Sequence, residues 1–314
     1  MKNLTDYIAE AYEYNYNISN VPKYTSTGTD KIDINKTNNK TNYTVQPKNK
    51  DELMYIITSA FKIKQYDLNY IDTSKITDMS ELFANINHNF DVSKWDVSNV
   101  TNMSSMFYYC KNFDCDLSNW DVSNVKDMSY MFTYCFKFNC DLSTWDVSNV
   151  TDMYFMFGRC KQFNCDLSNW DVSNVTDMYS MFTGCEKFDC DLSNWDMSNV
   201  INTSLMFSNC AKFTGKGIEN WNVSKVKNMY AMFGDCTNFN CDVSNWDVSN
   251  VTDMDSMFVN CKKFTGKGLE NWNVSKVKTM RTMFNGCKFN YHELDWDLSG
   301  LSSQIKTFRN YVAD

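Results

Sequence analysis

The sequence predicts an α/β repeat protein: a solenoid with one parallel β-strand and one short helix or 3₁₀ segment in each 25-residue coil, closed by helical caps. Three observations carry this expectation. All nine tryptophans, Trp95, Trp120, Trp145, Trp170, Trp195, Trp221, Trp246, Trp272 and Trp296, follow one another at intervals of 25, 25, 25, 25, 26, 25, 26 and 24 residues. The stretch before and through each Trp alternates apolar and polar residues, and the stretch after it spaces Met and Phe as one face of a helix.

Take Phe113 to Cys135, FDCDLSNWDVSNVKDMSYMFTYC. Phe113, Cys115 and Leu117, then Trp120 and Val122, keep the two-residue period of a strand with a break at Ser118 and Asn119, which predicts a strand over Cys115–Val122. Val125, Met128, Met131 and Phe132 follow at helical spacing, enough for about two turns. Parallel stacking at about 4.8 Å gives a ribbon of roughly 40 Å for the eight steps between tryptophans. A buried Trp removes roughly 150–250 Å² from water, about 4–6 kcal/mol before entropy, so the tryptophan ladder is expected to dominate stability.

The rest of the chain is read as terminal elements. Residues 1–13 place Leu4, Tyr7, Ile8, Ala11 and Tyr12 on one helical face, an amphipathic leader. Residues 14–47 are polar, contain Pro22 and Pro47, and read as a flexible linker. Residues 48–70 form an N-terminal cap with a helix from about Lys50 to Gln65; residues 71–300 are the repeat solenoid; residues 301–314, with SSQIKTFRNYV, form a C-terminal cap.

Composition narrows the function. A net charge of -8 argues against nucleic acid, whose phosphates need clustered Lys and Arg. No apolar run is long enough for a membrane span, and Asp6, Glu10 and Glu13 interrupt what would be the apolar core of a secretory signal. Thirteen cysteines, an odd number without an export signal, are expected to be reduced thiols.

The words WDVSNVTDM, MF, GC and F-N-x-D-L-S-x-W resemble the BspA-type leucine-rich-repeat surface proteins, including mycoplasma lipoprotein-like repeats of this period, over roughly residues 71 to 300. The resemblance implies a leucine-rich-repeat-like solenoid used for binding, often as an adhesin. Two features depart from that family: its members are usually exported, and its common Gln before DLS is here Cys115, Cys140, Cys165 and Cys190, with Cys241 before DVS. A second resemblance lies at the N-terminus. Met1, Lys2, Tyr7, Ile8, Glu10 and Ala11 are similar to the capsid-targeting leader of internal head proteins of T-even-type phages, which implies cleavage after Glu10; a plain amphipathic helix is the competing reading.

Several ladders invite a chemical reading. One set of cysteines follows the Met-Phe pair at Cys110, Cys135, Cys160, Cys185, Cys210, Cys236, Cys261 and Cys287, and the other is the set already named. Three repeats keep only the first, so small buried hydrophobes fit better than obligatory metal or disulfide pairs. Aspartates stack after each Trp, at Asp121, Asp146, Asp171, Asp196 and Asp247, but give way to Asn222 and Asn273; turn capping explains the swap better than calcium. The NVT sequons are by-products of the repeat.

The candidate binding face consists of exposed strand positions Asp116, Ser118, Asn119, Asp141, Ser143, Asp166, Ser168, Asn169, Asp191, Ser193 and Asn194. Two longer units, FTGKGIENWNVSKVKNM and FTGKGLENWNVSKVKTM, add Lys216, Lys225, Lys227, Lys267, Lys276 and Lys278, a basic stripe two rungs apart, about 10 Å. With two histidines and no nucleophile, phosphate-loop or zinc motif, no catalytic residue, metal or cofactor is expected. The reading is a non-enzymatic scaffold that binds a protein or glycan, phage-encoded and located in the virion or host cytoplasm, with phage capsid or host protein as partners. The alternatives are a cell-surface adhesin and a calcium-dependent binding module.

Overall fold

Every repeat is a chain of tight turns, and the Asp-x-Ser words close them. Asp116 Oδ1 accepts the Ser118 amide at 3.0 Å, and Asp121 Oδ1 accepts that of Ser123 at 3.1 Å. Each is followed by a backbone turn, Trp120 N to Leu117 O at 3.1 Å and Val125 N to Val122 O at 2.9 Å. These local bonds compete with strand pairing. The strand expected over Cys115–Val122 is therefore absent, and turns occupy Ser118–Asn119 and Ser123–Asn124. The period of two was real, but it came from side chains alternating around successive bends.

A computed structural model describes residues 45–290 and 294–301, all within the unit Thr44–Asp314. The leader, nearly all of the linker expected over 14–47 and nearly all of the C-terminal cap lie outside those residues.

Pairing between repeats occurs on the other side of the coil. Single parallel bridges join Asp78, Asn102, Asp127, Asp152, Asp177, Asn202, Asn228, Asp253 and Thr279 in succession. Beyond each bridge the backbone donors divide in alternation. Met128, Tyr130, Phe132 and Tyr134 donate to the next coil at Asp152, Tyr154, Met156 and Gly158, at 2.7–3.1 Å. Met131, Thr133 and Cys135 donate three residues back within their own coil, at 2.9–3.2 Å. No donor in this run is left over, as a buried backbone requires.

That division replaces the short helix expected around Met128–Phe132. A helix would send every N–H four residues back, leaving none for the neighbouring coil. Tyr130 (φ 58°) and Tyr134 (φ 64°) instead occupy the third position of type II turns. A left-handed Tyr costs about 1 kcal/mol or more, and persists because bonds from the coils on both sides fix it. Among the described residues the only 3₁₀ helix is Leu269–Asn271.

The capping helix α1 spans Lys50–Lys62 and buries Leu53, Ile56, Ile57 and Ala60. Asn49 caps it by accepting the Glu52 amide at 3.0 Å, while Glu52 accepts the Lys48 amide at 2.8 Å, a reciprocal cap. It stops short of the expected Gln65 because Lys64 turns left-handed at φ 61° and Gln65 N returns to Ala60 O.

The inward side chains form columns through the stack. Leu117, Trp120, Val122, Val125, Met128, Met131, Phe132, Cys135 and Phe138 of one unit are all buried. Indoles from Trp120 to Trp170 and from Trp195 to Trp296 stack nearly parallel at 6.3–6.5 Å. Every tryptophan donates its Nε1–H to a main-chain carbonyl of an earlier coil; Trp170 reaches Leu142 O at 3.0 Å.

Phenylalanines pack more closely than the indoles. Phe132 stands 5.4 Å from Phe107, 5.6 Å from Phe157 and 4.0 Å from Phe138. Stability therefore belongs to the two aromatic columns together and not to tryptophan alone.

Candidate functional site

The first cysteine ladder is interior. Cys135 Sγ donates to Phe107 O at 3.0 Å, and the other seven members repeat this bond to the Phe of the preceding coil. The second ladder lies nearer the surface, 7–8% exposed. Burial pushes its thiols up, Cys140 to about 11 and Cys115, Cys165, Cys190 and Cys241 to about 12. All thirteen cysteines are unpaired. With the thiolate scarce at neutral pH, the folded protein is expected to react slowly with a thiol reagent, the second ladder first. Thirteen groups should titrate on unfolding, and rapid loss of the first ladder in native protein would contradict its burial.

The second ladder is interrupted at the two longer units. In two standard coils the thiol accepts an amide of the preceding coil, Cys140 Sγ from Leu117 N at 3.1 Å and Cys115 Sγ from Val92 N at 3.5 Å, while Cys165 and Cys190 donate to the main-chain carbonyls of Cys140 and Cys165. At the two insertions a main-chain carbonyl accepts the amide: Leu192 N meets Lys216 O at 3.3 Å, and Val243 N meets Lys267 O at 3.2 Å. The extra backbone there takes the acceptor place that the Cys115 and Cys140 thiols hold in their coils.

The predicted face is brought together in part. Asp166, Ser168, Asp191, Ser193, Asn194 and Lys216 line one depression of about 510 Å³. Asp116 lines a second, of about 410 Å³, beside Tyr66 and Asp91 at the first coils. The remaining predicted positions, Ser118, Asn119, Asp141, Ser143 and Asn169, lie on the same strip of neighbouring coils outside the two depressions.

Most of the carboxylates on this strip are already engaged. The Ser amide two residues on holds Asp116, Asp141 and Asp191 below the usual carboxylate range. Lys267 pulls Asp242 down to about 2. Among the described residues no three His, Cys, Asp or Glu side chains converge to hold a metal ion. The aspartates after each Trp cap turns, and Asn222 and Asn273 do the same for Ser224 and Ser275, both at 3.2 Å.

The predicted lysine stripe ties coils together. Lys216 pairs with Asp191 at 3.2 Å and Lys267 with Asp242 at 2.7 Å. Lys225 and Lys276 donate to Asn199 and Asn250 of the preceding coil, both at 2.7 Å, while Lys227 and Lys278 are exposed. The sequon asparagines are likewise engaged: Asn149 and Asn174 each donate to a Ser carbonyl one coil back, at 2.8 and 2.7 Å.

On the bridged side lies a different column. Asp152 is half-buried between Asp127 and Asp177; burial first, then these two neighbours, raises its carboxyl above its ordinary 3.8. A folded-state pKa above the unfolded one penalises folding while the group is ionised; the penalty is absent below 3.8 and complete above the raised value. Asn102, Asn202 and Asn228 stand at the same position and keep the same turn. Asp152→Asn should thus stabilise the protein by about 0.5 kcal/mol at neutral pH, with the gain fading as pH falls below the carboxylate range. Denaturant midpoints at pH 7 and pH 3.5 check it; an equal gain at both would mean charge is not the cause.

Two surface features went unread in the sequence. Tyr108, Tyr109, Tyr130, Tyr134, Tyr154 and Tyr179 form a half-exposed aromatic field, with Tyr154 and Tyr179 at 4.7 Å and Tyr109 and Tyr134 at 5.1 Å. Beside it, the two-residue turn after each first-ladder cysteine from Cys110 to Cys261 carries lysine in most coils. The signal lay in the variable letters between repeated words, which one sequence does not weight.

No helix among the described residues is long and apolar enough to cross a membrane. Residues 51–164, 140–217 and 206–313 match the family described as Mycoplasma protein of unknown function, DUF285. No curated protein and no solved structure matches the chain.

Proposed function

From the premise that the chain belongs to the Mycoplasma DUF285 family of tandem repeats, we propose that it is a leucine-rich-repeat-like solenoid serving as a non-enzymatic binding scaffold. Its ligand is a protein or glycan, held by contacts that add along the stack. One observation carries this reading: outward side chains recur at equivalent positions of successive coils, each coil fixed to the next by bonds every second residue. Weak contacts at fixed intervals then act as one site of raised effective concentration.

The test is stepwise. Outward residues are exchanged at one, two and then three equivalent coils of the full chain, and binding is measured by interferometry. Affinity should fall with each coil altered. Complete loss from a single coil, with its neighbours silent, would point to a discrete pocket and overturn the scaffold reading.

Where the scaffold acts has two readings. The resemblance of the repeated words to BspA-type surface repeats favours a bacterial cell-surface adhesin. The N-terminal residues Met1, Lys2, Tyr7, Ile8, Glu10 and Ala11 favour a phage-encoded protein packaged in the virion. Mass spectrometry of virions showing an N-terminus at Ala11 supports the second; labelling of the intact chain on whole cells supports the first.

A further inference from the structure

The corner after each first-ladder cysteine from Cys110 to Cys261 is a two-residue turn at the surface. Five consecutive coils place a lysine there, Lys111, Lys137, Lys161, Lys187 and Lys212; one coil has Thr237–Asn238, and the next has Lys262 and Lys263 together. All but the half-exposed Lys111 are exposed. The corners are held in register from coil to coil: Asn112 donates to Asn87 O at 2.7 Å, and Asn238 to Ala211 O at 2.8 Å. On a chain of net charge -8, this is a cationic column interrupted at the single coil of Thr237–Asn238.

Its margin is aromatic and cationic. Tyr109, Tyr134 and Arg159 immediately precede the ladder cysteines of the first three of these coils. Lys111 Nζ lies 4.3 Å over the Tyr109 ring, and Phe136 packs against Tyr134 at 6.0 Å. Lysines here differ from Lys216 and Lys267, which face an Asp of the preceding coil. Of the corner lysines, Lys161 meets Glu186 at 2.9 Å, both ends of the pair exposed.

Spacing selects the partner. Coils paired through parallel bridges advance about 4.8 Å, so from Lys111 to Lys212 the column offers one ammonium per coil at about that interval, on either the first or the second corner position. An extended polypeptide advances about 3.3 Å per residue and presents one face every second residue, so its carboxylates fall out of step within a few coils. A β-linked sugar chain advances by close to one coil per residue. Its acid groups, on every sugar or every second sugar, can meet lysines of successive or alternate coils while apolar ring edges lie against the tyrosines. Lysine suits this work: it is a compact charge on a flexible stem that adjusts to a repeating anion.

We propose that the column from Lys111 to Lys263, with its aromatic margin, binds a linear polysaccharide carrying carboxylates of the uronic-acid class. This rests on the scaffold reading above and names its ligand and face.

The experiment uses the full chain and three probes at several salt concentrations: hyaluronan, neutral dextran and poly-L-glutamate. The variants are the triple Lys137→Gln, Lys187→Gln, Lys212→Gln and a control triple, Lys94→Gln, Lys126→Gln, Thr176→Asp, at exposed positions outside both the corner and the predicted face, which shifts the net charge by the same amount elsewhere. The exposed positions should leave the unfolding midpoint of both variants unchanged. Hyaluronan is expected to bind in a salt-sensitive way and dextran not at all, with the lysine triple about tenfold weaker and the control near wild type. Equal losses in both triples would reduce the effect to bulk charge and overturn the proposal. Poly-L-glutamate bound as well as or better than hyaluronan would make the column an acidic-peptide site and overturn it while the scaffold reading stands. No binding of any probe would also overturn it, leaving the coil-by-coil test of the scaffold untouched.

Discussion

Trp170→Ala should lower the stability of the chain by about 4 kcal/mol and break its cooperativity at one coil. The indole is 1% exposed, lies 6.4 Å from Trp145 and 6.1 Å from Phe157, and donates to Leu142 O at 3.0 Å. Truncation leaves a cavity between coils whose separation is fixed by backbone bonds on the bridged side, so the walls cannot collapse to fill it. It also removes one of the two donors to Leu142 O, which keeps the Trp145 amide at 3.1 Å, so the lost hydrogen bond is about 0.5–1.5 kcal/mol of the same loss. Trp170→Phe, which keeps much of the volume but loses the N–H, should cost about half as much.

Position along the stack decides the rest. Each coil is stabilised only by its neighbours, so a weak interface in the middle lets the two flanking blocks unfold separately. Hydrogen exchange should show protection falling on both sides of residue 170, and the denaturant transition should broaden. Trp296→Ala, at a half-buried ring in the last coil, should cost clearly less and leave the transition sharp. Equal costs at the two sites would contradict a nearest-neighbour stack.

The inward set was legible because burial is imposed identically on every coil. Trp, Val, Met, Phe and Cys recur at the same offsets, and those residues are the buried ones. Local conformation was harder to read, since the same letters fit two geometries. In DLSNWDV, alternation suits a strand, yet each Asp closes a turn on the amide two residues ahead, and that bond wins over pairing. A clue to the left-handed positions was present: Gly184, Asn209, Asp235, Asn260 and Gly286 precede ladder cysteines, and these residue types tolerate positive φ. Tyr134 and Arg159 at the same offset hid it.

The surface was least legible. Aspartates and serines repeat because turns need them, so the most regular polar residues are architectural and the candidate face built from them is largely occupied. Lys137, Lys187 and Tyr154 sit at letters that change from coil to coil, and only their placement in neighbouring coils shows them as columns.

The longer units test how tightly neighbouring backbones approach. Gly268 (φ 94°) is in the left-handed region, and a Cβ there would stand 2.6 Å from Ser244 Cα and 2.7 Å from Val243 C, main-chain atoms of the preceding coil. Gly268→Ala should therefore cost about 3–4 kcal/mol: about 1–2 from the backbone conformation and the remainder from forcing two coils apart. Gly184 (φ 71°) supplies the contrast, because the one tight contact of a Cβ there is with the Arg159 side chain, 2.8 Å from its Cδ, and the nearest main-chain atom, Arg159 Cα, stands at an ordinary 3.6 Å. Gly184→Ala should pay the conformational part alone, about 1 kcal/mol. Paired urea titrations separate the two contributions. If both substitutions cost the same, the extra residue of the longer unit does not press on its neighbour, and the Lys267 carbonyl has no close amide at Val243 to receive.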